Sequence, residues 1–118
     1  MSANELLSAL KAVAEPTRLR MLELLLGWEG PRTGPVRSGE RGLCLSDLEL
    51  LVGLPHALVS HHLRILKEAG LVETERRGRW TVYRPCPERV TLVAESLRSV
   101  GSTRQLPQLP GGPSLSAA

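Results

Sequence analysis

The stretch Leu45–Gly70, LSDLELLVGLPHALVSHHLRILKEAG, decides how the rest of the chain is read. It divides into two short helices around a tight turn. Ser46 is placed to cap the first helix, with Glu49 reaching back from the first turn in a capping-box pattern. Leu48, Leu51 and Val52 follow at helical spacing, and Gly53 breaks the helix. Leu54-Pro55 opens the second helix, because proline is tolerated in a first turn and not deeper. There Leu58, Val59, Leu63, Leu66 and Ala69 are expected to face inward. Ser60, His61, Arg64, Lys67 and Glu68 are left to face out, and Gly70 is the stop beyond the carboxyl end. Two helices joined by a glycine-containing turn make a helix-turn-helix, an arrangement whose second helix enters the DNA major groove.

On the amino-terminal side, Ser2 to Ala14 reads as a helix with Ser2 and Glu5 as another capping box. Its apolar positions are Ala3, Leu6, Leu7, Leu10, Val13 and Ala14. Pro16 opens a further helix, rich in leucine on most sides, which ends at Gly27 and is expected to be central to the core. Gly27 to Gly42, GWEGPRTGPVRSGERG, keeps no period and reads as a flexible loop, long for a compact domain. On the carboxyl side, LVETE and WTVYR flank RRGR, the alternation of a β-hairpin around a basic turn. Trp80 and Tyr83 fall on opposite faces of its second strand and read as packing residues. Pro85 and Pro87 end the hairpin. A last helix from about Glu88 to Val100 carries Val90, Val93, Ala94, Leu97 and Val100 on one stripe, and beyond it 101–118 reads as a disordered tail.

The expected fold is mainly α with a small β-hairpin wing: a winged helix-turn-helix, all in one domain over residues 1–100, with an extra helix at each end. The apolar stripes of the two end helices exceed what the central domain needs for cover, which points to a homodimer. The chain's 118 residues suffice for one core, and with no phenylalanine that core must be aliphatic. The formal net charge is +3. Residues 60–89 hold seven Lys/Arg against four acids, so the whole excess lies on the second helix of the pair and on the hairpin after it. That is the footprint of a nucleic-acid reader. No run approaches a membrane span and no export signal is visible, so a cytoplasmic protein with reduced thiols at Cys44 and Cys86 is expected. Nothing pairs a nucleophile with a base or cradles a phosphate in glycines, which argues against an enzyme.

Four segments in order, EPTRLRML (Glu15–Leu22), LCLSDL (Leu43–Leu48), LVSHHLRILKEAGLV (Leu58–Val72) and RRGRWTVYR (Arg76–Arg84), resemble the bacterial ArsR/SmtB repressors. The resemblance implies a homodimeric winged-helix repressor that leaves double-stranded operator DNA when an inducer binds, with the end helices forming the dimer interface. It implies that His56, Ser60, His61 and Arg64 face the groove and that Lys67 lies near phosphate. Arg76, Arg77 and Arg79 on the wing would reach the backbone or the minor groove. The family's polar SQP-type start is replaced here by Pro55-His56-Ala57-Leu58, with His56 in the glutamine-like position.

The family's arsenic sensors open the third helix with a CVCD-type motif. This chain has Cys44-Leu45-Ser46-Asp47, so the first thiol is kept and the second is serine. Cys44, with Cys86 as a second ligand, is the candidate site for arsenite or another thiophilic metal ion as inducer, or for a thiol oxidant. The other reading is a regulator of the same family with no metal response, controlled by another ligand or a partner protein through the loop or the tail, its cysteines being small buried hydrophobes. Zinc sensing fits poorly, because the last helix has no histidine and the adjacent His61 and His62 diverge by about 100° around a helix.

Overall fold

The computed structural model describes residues 1–102. The elements run α1 (Ala3–Val13), α2 (Pro16–Gly27), β1 (Leu43–Cys44), α3 (Leu45–Val52), α4 (His56–Glu68), β2 (Val72–Arg77), β3 (Trp80–Pro85) and α5 (Pro87–Gly101). The strands form one antiparallel sheet in the order β1-β3-β2. This is the expected winged helix-turn-helix with a helix added at each end. Of the expected tail, residues 103–118 lie outside the described part.

The core is aliphatic, as the composition requires. Met21 and Leu25 of α2, Leu48 of α3, and Val59, Leu63 and Leu66 of α4 meet Leu43, Leu71 and Val72 with almost no solvent contact. From α1 the deepest residues are Ala9 and Ala12 rather than the predicted leucine stripe, and Leu7 is half exposed. Small side chains at the contact allow close helix approach, and the larger ones are left at its edges.

Arg18 ties three helices at one point. Its Nε donates to the Ala12 carbonyl at the end of α1 (2.6 Å), and its Nη1 lies 3.2 Å from His62 Nδ1 on α4. Its backbone N–H donates to Glu15, the cap of α2, at 2.9 Å. The segment Glu15–Arg18 therefore sets where α4 sits, and it turns His62 towards the core side while His61 stays outside.

Two expectations for the central stretch give way. Ser46 does not cap α3: the helix starts at Leu45, Cys44 takes the cap position without a side-chain bond, and Glu49 turns to His56 instead. Leu58 does not face inward but is 47% exposed, since one residue of helical rotation separates it from the buried Val59. The far end of α4 closes as expected. Gly70 takes φ 77°, and the N–H groups of Gly70 and Leu71 donate to the carbonyls of Lys67 (2.9 Å) and Leu66 (3.1 Å), a Schellman motif.

In the wing, Val72 to Arg77 pairs with Pro85 to Trp80 in continuous register. Gly78, at φ 63°, supplies the left-handed first position of the two-residue turn. The strand β1 has no periodic signal in the sequence and is an addition to the expected elements. It sets Leu43 opposite Tyr83 and Cys44 opposite Val82, fixing the start of α3 to the wing. Residues 28–42 contain neither helix nor strand and are fastened to both sides. Arg32 Nε donates to the Gly42 carbonyl (3.0 Å), Thr33 bonds Asp47, and Arg77 Nη1 donates to the Pro35 carbonyl (2.8 Å).

Candidate nucleic-acid interface

With its inner face sealed by Val59, Leu63 and Leu66, α4 presents His56, Ser60, His61, Arg64 and Lys67 on the side away from the core. These positions fall within about half a turn of one another at 100° per residue. The helix thus offers imidazole, hydroxyl and guanidinium groups side by side, a set able to donate to and accept from base edges. Neighbouring contacts limit how these side chains move. His56 Nδ1 lies 2.5 Å from Glu49 Oε1 on α3, and its Nε2 lies 3.5 Å from Ser60 Oγ. Arg64 Nη2 lies 3.2 Å from His61 Nδ1. Lys67 Nζ donates to Thr74 Oγ1 on β2 at 3.0 Å, which holds the ammonium at the junction of helix and wing.

The three wing arginines separate. Arg76 and Arg79 are exposed at the tip, Arg76 within 3.4 Å of Thr81 Oγ1 and Arg79 with its guanidinium 5.6 Å from the centre of the Trp80 ring. Arg77 faces the other way and only 14% of its side chain is exposed. It is held by Glu40 and the Pro35 carbonyl of the long loop and by Glu75 of its own strand (2.8 Å). The structure therefore removes Arg77 from the surface that Arg76 and Arg79 present. The pairing holds the Glu40 carboxyl down to about 2, chiefly through the Arg77 guanidinium, and raises the guanidinium in turn. Sequence offers no local signal for this contact, because its partners are 37 positions apart.

Cys44 is buried at the junction of β1 and α3. Its thiol donates to Asp47 Oδ2 at 3.2 Å and lies 3.2 Å from Ser46 Oγ. Asp47 is itself almost fully buried and also accepts from the Thr33 backbone (2.9 Å) and hydroxyl (2.7 Å). Burial pushes its carboxyl up, but the bonds from Thr33, Cys44 and the Gly34 backbone outweigh that, and it sits below the usual range. Gly34 lets the loop pass over the thiol, since a Cβ there would stand 2.7 Å from the Cys44 Cβ. A cleft of about 250 Å³ opens beside this group, lined by Cys44, Ser46, Glu49, Arg79, Trp80 and Thr81.

Cys86 follows the last residue of β3. Since Cys44 is opposite Val82, the two cysteines are separated by roughly 13 Å along the strand, at ~3.3 Å per residue. Burial, reinforced by Glu73 and Glu88, pushes the Cys86 thiol up. Both cysteines are free, and among the described residues no three His, Cys, Asp or Glu side chains are grouped to hold a metal ion. Arsenite prefers three thiolates. One buried thiol beside a carboxylate and a hydroxyl does not fit it within a single chain.

Residues 37–74, which contain β1, α3, α4 and the first three residues of β2, match the family model described as "Bacterial regulatory protein, arsR family". A helix-turn-helix transcriptional regulator of Methanocaldococcus jannaschii is 35% identical over 81 residues, covering 68% of this chain and 76% of that one. The chain belongs to the ArsR family. Another match is the helix-turn-helix transcriptional regulator NmtR of Mycobacterium tuberculosis, 38% identical over 82 residues, which are 70% of this chain and 58% of that protein. This chain thus spans little more than half of that relative. Among solved structures, a possible transcriptional regulator for arsenical resistance superposes with a TM-score of 0.64 at 27% identity, covering 81% of this chain and 86% of that one. The homodimeric winged helix-turn-helix DNA-binding domain of a possible ArsR-family regulator from Mycobacterium bovis gives a TM-score of 0.59 at 23% identity, over 86% and 83% of the two chains, a likeness of fold.

Proposed function

We propose that this ArsR-family chain is a homodimeric, sequence-specific DNA-binding repressor of transcription. The observation that carries the reading is the outward face of α4: His56, Ser60, His61, Arg64 and Lys67 are gathered on one side of a helix whose other side is locked into the core. Arg76 and Arg79 extend that basic surface onto the wing. Action on operator DNA places the protein in the cytoplasm, and no helix among the described residues is long and apolar enough to cross a membrane.

Homodimerisation rests on the end helices. Arg89 Nη2 donates to Glu5 Oε2 at 2.9 Å, tying α5 to α1, and Leu7 of α1 and Leu97 and Val100 further along α5 are 50–60% exposed. A second copy covers those side chains and brings two recognition helices to successive major grooves. The M. bovis relative of the same fold is described as homodimeric, which agrees.

For the inducer, the geometry favours control by another ligand or a partner protein over a soft metal ion. The observation is the separation of Cys44 from Cys86 together with the hard oxygen partners around the single buried thiol. The thiophilic reading, with Cys44 and Cys86 meeting across two subunits, makes the contrary prediction. The test is anisotropy of a labelled duplex from upstream of the gene, titrated with reduced protein at several salt concentrations. Affinity should fall with salt by about 0.9 in log–log slope for each phosphate neutralised. Adding arsenite or cadmium should leave the complex intact. Release by either ion from wild type but not from Cys44→Ser would restore the metal-sensing reading, and salt-independent or absent binding would remove the repressor reading altogether.

A further inference from the structure

The contact between Glu49 and His56 joins the two helices of the helix-turn-helix by side chains at 2.5 Å, yet it lies on the surface, with 69% of the His56 side chain exposed. A contact so open to water adds little to stability. Its consequence is chemical. An ionised carboxylate only accepts, so Glu49 requires the hydrogen of the imidazole to be on Nδ1. In the neutral ring Nε2 is then an acceptor with one lone pair, and Ser60 Oγ, at 3.5 Å, is too distant to occupy it with a strong hydrogen bond. His56 is the first residue of α4, the end at which recognition helices reach base edges.

We propose that Glu49 is a positioning residue for base recognition: from α3 it fixes the tautomer and direction of the His56 imidazole, so that Nε2 reads a hydrogen-bond donor in the major groove. The inference rests on the DNA-binding reading above. The donors available there are adenine N6 and cytosine N4, whereas guanine presents only N7 and O6 acceptors. Wild-type protein therefore selects adenine or cytosine at the base facing His56 and rejects guanine. Without Glu49 the hydrogen moves freely to Nε2, and guanine is accepted as well.

This separates from plain electrostatics by sign. Removing a negative charge beside DNA tightens binding to every sequence equally. Loss of positioning lowers discrimination instead. The experiment is selection of the full-length protein from a randomised duplex library, followed by affinity measurements on single-base variants of the selected site. It compares wild type, Glu49→Gln, His56→Gln and the double variant, with thermal melts to confirm that all are folded. Glu49→Gln should lose about tenfold of the preference against guanine at one step of each half-site, as expected of one base-edge contact. In the His56→Gln background the same change should leave that preference unaltered. An unchanged preference in Glu49→Gln overturns the proposal, as does an equal loss in the His56→Gln background. Wild-type protein that selects no sequence overturns the DNA-binding reading and this proposal with it. Wild type that selects a site which Glu49→Gln reads equally well overturns this proposal alone.

Discussion

Arg77 shows how a residue's chemistry depends on partners that sequence does not place. In RRGR it looks equivalent to Arg76 and Arg79, and its charge alone marks all three as phosphate contacts. Glu40 and the Pro35 carbonyl, brought over by the long loop, turn it inward and fasten the loop to the wing. The Glu40 carboxyl is depressed from an ordinary 4.5 to about 2. A depressed carboxylate contributes its stability above the ordinary value and loses it as pH falls through the folded one. The clasp's contribution to stability should thus be constant from neutral pH to about 5 and decline between there and about 2, where the carboxyl itself protonates. A carbon-detected NMR titration of Glu40 should find its midpoint near 2 in wild type and clearly higher in Arg77→Met, though still below the ordinary value, because the Arg37 backbone N–H also donates to this carboxylate at 2.8 Å. The two thiols allow a similar check. Cys44 is buried, and the Cys86 thiol is pushed up by burial, Glu73 and Glu88, so native protein should react slowly with iodoacetamide at neutral pH. Mass spectrometry should show both sites modified rapidly only after unfolding. Fast labelling of native Cys86 would contradict the environment described for it.

Helices are legible where periodicity and caps are local. The bounds of α2 and the glycine stops at Gly53 and Gly70 follow from residues a few positions apart, whereas the wing turn is Gly78-Arg79 alone, with Arg76 and Arg77 of RRGR paired into the strand. The failures have the same physical origin. Two residues of β1 carry no period, and Ser46 followed by Glu49 has the signature of a capping box, although Glu49 has a better partner across the turn. Leu58 departs from its expected place because apolar character alone does not say on which side of Val59 the buried face ends. The recognition helix owes its rigidity to its buried side and its Schellman stop, and each can be tested. Leu63→Ala, at a fully buried site, should destabilise the fold by about 2–5 kcal/mol in denaturant unfolding. Gly70→Ala places a Cβ at φ 77° and 3.2 Å from Arg89 Nε, and should lose about 1–2 kcal/mol. A Gly70→Ala protein as stable as wild type would contradict that stop.

For the assembled protein, the two features visible in sequence are the placement of the charge excess after residue 60 and the apolar stripes on the end helices. In the structure both lie on surfaces that a single chain leaves open: the outward face of α4 with the wing tip, and the α1–α5 side carrying Leu7, Leu97 and Val100. A dimer with its two basic faces aligned explains both at once. Leu97→Glu should then shift sedimentation from dimer to monomer and weaken DNA binding through lost bivalency, without unfolding the chain. The measurement that bears hardest on the whole account is the operator-to-random affinity ratio for wild type and Arg64→Glu, by anisotropy at fixed salt. Arg64 stands on the outward face of α4 and contacts only His61 among the partners described. The account predicts a high ratio for wild type that falls to about one in Arg64→Glu, with melting behaviour unchanged. An Arg64→Glu protein that still prefers its operator would show that α4 is not the element that reads DNA.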